Sequence, residues 1–323
     1  MLIGVIVPAY NVSSWIGDAI RSVMAQTHTD WVMTIVDDGS TDDTAAIAAG
    51  FNDPRIRLIR QPNHGVSAAR NRGIAETAAG AVLLLDGDDW LAPHALAVLA
   101  AVLVENPLAV AAVGAYAKGS LPIRRPSQGD LLRALLVRNQ FANGGHLLIR
   151  RTALDAAGWF LTHLRFGEDW EYWIRLALLG PFAATRGRTP VLFVRERMGG
   201  ASLTMAARPD AYEPCMEAIF SSPGLGATRL GATRLAATLG AEEVARLRRL
   251  AEAENNWIVG RELIRHRKVE DGLRFLRRSV RARPSSRRLT LLALATCRIT
   301  SIGPFHPYPM LALADARGVM PEG

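Results

Sequence analysis

Four short constellations hold the residue types that could do chemistry. The most acidic is Asp86-Gly87-Asp88-Asp89, with three carboxylates in four residues directly after the apolar run Ala81–Leu85. Carboxylates this close repel one another unless a cation or strong donors neutralise them. Hard oxygens at the end of a rigid element suit Mg2+ or Mn2+, which take one or two carboxylates and complete their shell with water and substrate phosphates. The competing reading is a solvated turn that caps the next helix. A second acidic turn, Asp37-Asp38-Gly39-Ser40-Thr41-Asp42-Asp43-Thr44, also follows an apolar run. Asp37 or Asp38 could accept hydrogen bonds from a nucleobase or ribose, whereas Asp42 and Asp43 suit a helix start, where the dipole favours negative charge.

The third constellation runs from Asn63-His64-Gly65 through Arg70-Asn71-Arg72-Gly73. The planar fork of Arg70 suits a diphosphate; Arg72 reads as a surface arginine and His64 as a loop histidine. The fourth is Gly167-Glu168-Asp169-Trp170-Glu171-Tyr172-Trp173. Apolar walls desolvate a carboxylate and raise its pKa, which suits a general base. Helix-start acids beside core tryptophans would give the same pattern.

The elements that must position these groups alternate. Strands are expected at Leu2–Val7, Trp31–Val36, Ile56–Ile59, Ala81–Leu85 and Leu108–Tyr116, with helices at 12–26, Asp42–Ala49, Val66–Ala78 and Pro93–Val104 between them. Such alternation means crossover units and a mostly parallel sheet. Ligands of these sheets sit outside the carboxyl ends of the strands. Pro8-Ala9-Tyr10-Asn11, the Asp37 turn and the Asp86 turn all lie there. Further on, Gln128–Val137 and Glu168–Leu178 read as helices, Asn143–Arg150 and Val191–Arg195 as strands, and Gly199-Gly200 as a turn. Residues 241–267 and 269–282 read as an amphipathic helical hairpin, similar to one tetratricopeptide-like unit, with a third helix from 287.

Composition bounds the class. The 323 residues are 49% apolar and 21% charged, which excludes a disordered or collagen-like chain. Two cysteines, Cys215 and Cys297, with no Cys/His cluster, argue against a zinc site or a disulfide framework and fit a reducing cytosol. No apolar run reaches the ~20 residues of a spanning helix. The N-terminus lacks the basic region of a signal peptide. The net charge of +8 is concentrated in 241–298, which holds 15 Lys+Arg against 7 Asp+Glu. This Arg-rich stretch fits either an anionic surface or a solvated helical face.

In this order and spacing the motifs resemble the family 2 glycosyltransferases with the GT-A fold. The matching residues are Val5-Ile6-Val7-Pro8-Ala9-Tyr10-Asn11, Val36-Asp37-Asp38-Gly39-Ser40-Thr41-Asp42, Asn63 to Asn71, Leu85-Asp86-Gly87-Asp88-Asp89-Trp90 and Gly167-Glu168-Asp169-Trp170. The resemblance covers roughly 1–205. It implies an α/β GT-A domain over 1–205, a mostly parallel Rossmann-like sheet flanked by helices; the helical C-terminal appendage expected over 206–323 lies outside the resemblance. The resemblance also implies a nucleotide-diphospho-sugar donor, UDP- or dTDP-linked, and transfer with inversion to a hydroxyl of a glycan, glycolipid or other acceptor. Carried over residue by residue, Pro8, Ala9 and Tyr10 line the nucleobase pocket and Asp38 bonds the base. Arg70 and Gly87 lie near the nucleotide. Asp86 faces the ribose and metal, Asp88 binds Mn2+ or Mg2+, and Asp89 assists. Asp169 is the general base, with Glu168 beside it. Where the family carries an Arg/His-bearing segment over the donor, this chain has Arg195-Glu196-Arg197-Met198-Gly199-Gly200, without histidine. Gly144-Gly145-His146 would shape the acceptor side. The expected setting is cytoplasmic, peripheral at the inner face of a membrane through 241–298, with no specific nucleic acid partner. A non-catalytic nucleotide- or polyanion-binding module on the same scaffold is the alternative.

Overall fold

The computed structural model describes residues 1–196, 208–221 and 232–297. The Gly199-Gly200 turn and the expected boundary at 205/206 lie outside the described residues.

The chain begins with β1 (Ile3–Ala9), α1 (Ile16–Met24), β2 (Trp31–Asp37), α2 (Thr44–Ala49), β3 (Ile56–Arg60), α3 (Val66–Ala75) and β4 (Ala81–Leu84). Then follow β5 (Trp90–Leu91), α4 (Ala95–Glu105), β6 (Ala111–Val113), β7 (Ala115–Lys118), α5 (Leu132–Val137), a 3-10 turn (Gly144–His146) and β8 (Leu147–Arg150). This part of the chain ends with α6 (Arg151–Ala157), α7 (Glu168–Ala177), β9 (Phe182–Ala184) and β10 (Pro190–Val194). Beyond lie α8 (Glu213–Phe220), α9 (Ala232–Leu239), α10 (Ala241–Arg265), α11 (Val269–Ala282) and α12 (Ser286–Thr296).

Seven strands form one sheet in the order β3-β2-β1-β4-β8-β6-β9. Only β8 runs against the others: β1 is parallel to β2 and β4, β2 to β3 and β6 to β9, while β8 is antiparallel to β4 and β6. All seven residues of β1 are buried, as a strand covered on both faces requires. The two-residue period sends Ile6, Val82 and Leu84 to one core with α3, α5, α6 and α7. It sends Val5, Val7 and Leu83 to the opposite core with α1 and α4. On the first face, a Cβ on Gly73 would sit 2.2 Å from Ile6 Cγ2, so α3 lies directly on β1.

A smaller sheet, β5-β10-β7, packs beside the main one. The single strand expected over Leu108–Tyr116 is therefore two, broken at Gly114. A Cβ on Gly114 would lie 2.3 Å from Val191 Cγ2, and at this close approach the chain passes from the large sheet to the small one. The expected helix over Gln128–Val137 starts only at Leu132, because Gly129 exchanges two backbone hydrogen bonds with Phe182 and joins the sheet edge. Asn143 Oδ1 accepts from Gly145 N, which winds the start of the expected strand Asn143–Arg150 into the 3-10 turn.

The C-terminal helices are not a detached bundle. Cys215, Met216, Ile219 and Phe220 of α8, Leu235 of α9, and Val244, Leu247 and Ala251 of α10 are buried in the same core as Trp170 and Trp173 of α7. Further out, α10 and α11 form an antiparallel hairpin. A Cβ on Gly260 would meet Leu276, one on Gly272 would meet Ile264, and Ser279 Oγ donates to Ala253 O. Leu291 and Ala295 of α12 close a second small core with Trp257, Ile264, Leu273 and Leu276. Among the described residues no helix is long and apolar enough to cross a membrane.

Candidate active site

The carboxyl ends of β1, β2 and β4 are neighbours because these strands pair in parallel, and each ends in one of the polar motifs. The β1 and β2 loops are laced together. Asn11, in the left-handed region at φ 51°, donates its N–H to Ser40 Oγ and accepts from Thr41 N. Asp42 accepts from Ser13 N and from the Thr44 backbone and hydroxyl, and these bonds hold its carboxyl down at about 2 despite the opposing effect of desolvation. Pro8 and Ala9 are buried at the strand end, while Tyr10 beside them is 48% exposed.

Asp38 is buried and its carboxylate turns into the fold. Oδ1 accepts from Gln61 Nε2 (2.7 Å) and His64 N (3.0 Å), and Oδ2 from Gly65 N (2.8 Å). The residue expected to bond a base instead shapes the turn that starts α3. Asp37 is likewise used, by Ser40 N and Arg60 Nε.

That turn delivers Arg70, only 5% exposed, to the centre of the acidic cluster. Its Nη2 donates to Asp86 Oδ1 and its Nη1 to Glu168 Oε1, both at 3.0 Å. Both Nη groups expected at a diphosphate are thus directed at carboxylates, and the guanidinium lies 5.5 Å from the Phe160 ring. Arg70 joins the end of β4 to the start of α7. Burial disfavours its charge, but Asp86, Glu168 and Asp169 outweigh this and raise its pKa further.

Asp169 follows Glu168 on the first turn of α7, which opens at Gly167 in the left-handed region at φ 75°. Its Oδ2 accepts from Asn139 Nδ2 at 3.3 Å and its Oδ1 faces Trp170 N at 2.6 Å. Desolvation and the neighbouring Glu168 push its carboxyl up to about 7, against the lowering effect of Arg70. A half-buried acid titrating near neutrality can take a proton from a hydroxyl. Behind it, Trp170 Nε1 donates to Leu135 O and Cys215 Sγ to Gly167 O, so α5 and α8 brace this helix start.

In the Asp86 turn, Gly87 is a packing position. A Cβ there would lie 3.2 Å from Pro8 O and Val12 Cγ2, so the turn rests on the end of β1. Asp86 and Asp88 are half-buried. Asp89 is not with them: it is 2% exposed and turned inward. It accepts from Asn143 Nδ2 (2.6 Å) and Arg195 N (2.8 Å), and burial pushes its carboxyl up to about 7. Asp89 therefore holds the turn in place rather than offering a third oxygen to a cation. Arg195, in the stretch expected to cover the donor, is also committed here. Its Nε donates to Asp88 O, its Nη2 to Asp18 Oδ2, and its guanidinium lies 4.8 Å from the Trp90 ring.

Among the described residues no three His, Cys, Asp or Glu side chains form a ready-made metal cage. Two half-buried hard-oxygen ligands on one turn fit a cation that completes its shell with phosphate oxygens and water, as Mg2+ and Mn2+ do. His146 does not belong to the site. It is 2% exposed, its Nε2 accepts from Ala142 N, and its Nδ1 therefore donates to Gly114 O at 2.8 Å. Burial pushes its pKa down to about 4, so it is a neutral core residue. Asn139 and Asn143, which reach Asp169 and Asp89, were missed as site residues from the sequence, where isolated asparagines carry no chemical pattern.

The fold is similar to that of solved glycosyltransferases. S. aureus TarS 1-349 in complex with UDP-GlcNAc matches with a TM-score of 0.55 and 18% identity, over 93% of this chain and 88% of that one. The Pyrobaculum calidifontis mannosyltransferase PcManGT, in complex with GDP-Man and Mn2+, matches with a TM-score of 0.58 and 18% identity, over 94% and 81%. At that identity the likeness establishes the fold, which is the GT-A fold. In sequence, residues 4–157 match the model of Glycosyl transferase family 2. Bacillus subtilis (strain 168) EpsJ, named as an uncharacterized glycosyltransferase, is 36% identical over 121 residues, 37% of this chain and 35% of that protein. An Escherichia coli chondroitin synthase is 40% identical over 97 residues, 29% of this chain and 14% of its own length. The matched segment thus spans about a third or less of these relatives.

Proposed function

We propose that this protein moves a sugar from a nucleotide-diphospho-sugar, UDP- or dTDP-linked, to an acceptor hydroxyl with inversion at the anomeric carbon. The observation that carries this reading is the Arg70 bridge, which gathers Asp86, Glu168 and Asp169 from two separate segments at the carboxyl end of the sheet.

Pro8, Ala9 and the exposed Tyr10 would line the nucleobase pocket, on a loop set by Asp38 and Asp42. Asp86 and Asp88 would hold Mn2+ or Mg2+ with the diphosphate; such a cation stabilises the charge that develops on the leaving group. Asp169 accepts the acceptor's proton as its oxygen bonds to the anomeric carbon and the bond to the phosphate oxygen breaks. Glu168, held by Arg70, sets a second carboxylate beside Asp169, which helps desolvation to keep the pKa of Asp169 high. Single displacement needs one base and no protein nucleophile. The acceptor is a glycan, a glycolipid or another hydroxyl compound of the kind used in cell-surface polysaccharide synthesis. The Arg-rich 241–298 stretch would keep a cytoplasmic protein at the inner face of a membrane.

The test is donor binding by calorimetry and thermal shift, using UDP, GDP and dTDP with their sugars, with and without Mn2+. Binding that needs the cation and is lost in Asp88→Ala supports the reading. Unchanged affinity in Asp88→Ala removes the metal role. Cation-dependent binding with no transfer to any hydroxyl acceptor favours the non-catalytic module.

A further inference from the structure

The helical hairpin carries a feature that sugar transfer does not use. Exposed Arg274, Arg277, Arg278 and Arg281 recur at i, i+3, i+4 and i+7 along α11. They form one row, opposite the face that buries Gly272, Leu273, Leu276 and Ser279. Several other arginines of the C-terminal helices and their connections have carboxylates at hand: Arg246 pairs with Glu243, Arg248 with Glu252, and Arg283 and Arg288 share Glu254. The row has one, Asp271 beside Arg274. Among the described residues Arg277 and Arg281 have no carboxylate partner.

Like charges held at helical spacing repel until a dense anionic surface faces them. Guanidinium forks match phosphate oxygens in pairs, which ammonium groups do not. We propose that this row is a docking face for an anionic lipid bilayer, with the guanidinium groups meeting headgroup phosphates. Single-stranded nucleic acid is the poorer fit, because it needs aromatic faces on which bases stack. Trp257, the one tryptophan of the hairpin, is 6% exposed, with the guanidinium groups of Arg261, Arg287 and Arg288 within 6 Å of its ring. Phe275 is half-buried with Arg278 against it. A bilayer asks only for a broad face of high charge density. This assignment narrows the membrane contact to one helix and does not rest on the sugar-transfer chemistry.

The experiment is co-sedimentation of the full chain with vesicles of phosphatidylcholine alone or with 30% phosphatidylglycerol, at low and high salt. Wild-type protein is expected to prefer the anionic vesicles and to leave them as salt rises. A basic side chain near such a surface is worth about fivefold in binding. The quadruple variant Arg274→Gln, Arg277→Gln, Arg278→Gln, Arg281→Gln should therefore bind at least a hundredfold more weakly. A control with the same charge change elsewhere, Arg21→Gln, Arg57→Gln, Arg186→Gln, Arg188→Gln, should stay within a few fold of wild type. Equal losses in the two variants would reduce the effect to net charge and overturn the proposal. So would an absence of anionic preference, or an oligonucleotide that binds the row more tightly than the vesicles do. If the quadruple variant melts early, the pair Arg277→Gln, Arg281→Gln gives the same test at about 25-fold. Nucleoside diphosphate affinity, measured in parallel, should not change, which separates failure here from failure of the catalytic reading.

Discussion

Replacing Asp169 by asparagine should abolish most sugar transfer and, above neutral pH, make the protein harder to unfold. The carboxyl rises from an ordinary 3.8 to about 7 because it is desolvated beside Glu168. A raised acid pKa means that the folded state holds a proton that the unfolded chain releases, so the ionised form costs stability. At 1.36 kcal/mol per pH unit the cost is about 4 kcal/mol. The half-exposed side chain and its coupling to Glu168 and Arg70 reduce this to about 1–3 kcal/mol. Asparagine removes the charge and keeps the shape, and its amide oxygen still accepts from Asn139 or Trp170 N. The assay is thermal unfolding of both proteins from pH 4 to pH 9. The variant's advantage should grow between about pH 4 and pH 7 and stay constant above, at roughly 2–6 °C for a protein of this size. Transfer should fall by about 10²–10⁴. A variant that is no more stable than wild type at pH 8, or a difference that ignores pH, would refute the desolvation argument; near-normal turnover would refute the base.

The same shift fixes the pH profile: a base must be ionised, so kcat/KM should drop about tenfold per unit below pH 7 and level off above it. Arg70→Met removes the cation that lowers the Asp169 pKa, so the limb should move to higher pH and the fold lose about 2–4 kcal/mol; an unmoved limb, read by pH–rate measurements, would disconnect the two residues. Arg195→Gln should weaken Mn2+-dependent donor binding more than it lowers the melting temperature, because it frees the Asp88 carbonyl and the Asp18 carboxylate together; parallel calorimetry and melting curves would show an equal loss of both if the role were only structural. Gly73→Ala, a change that usually favours a helix, should cost about 1–3 kcal/mol, since the new methyl group collides with Ile6; denaturant midpoints check the sign.

The alternation of apolar strands and helices through the first 105 residues was legible because β1, β2 and β4 are almost wholly buried apolar runs, each with a polar motif at its carboxyl end. Chain reversals set by remote contacts were not. The break at Gly114 is fixed by Val191, and the late start of α5 by Phe182, each many residues away. The same limit governs the candidate site. Sequence identifies Asp38, Arg70 and Asp89 as chemically capable, but the direction of each side chain depends on partners such as Gly65, Glu168 and Arg195. Aspartates that serve as internal struts and aspartates that face a ligand look alike when read as letters.

The thiol of Cys215 against the Gly167 carbonyl has a consequence for engineering. A cut near residue 205 that keeps every motif of the family would strip the backing from Glu168 and Asp169 and bare Trp170 and Trp173 to water. Trimming the tail to obtain a minimal enzyme should therefore fail, whereas exchanging loops at the opposite end of the sheet, or grafting another donor pocket onto β1 and β2, leaves that buttress intact. Chimeras between relatives should take α5, α7 and α8 from one parent as a single block.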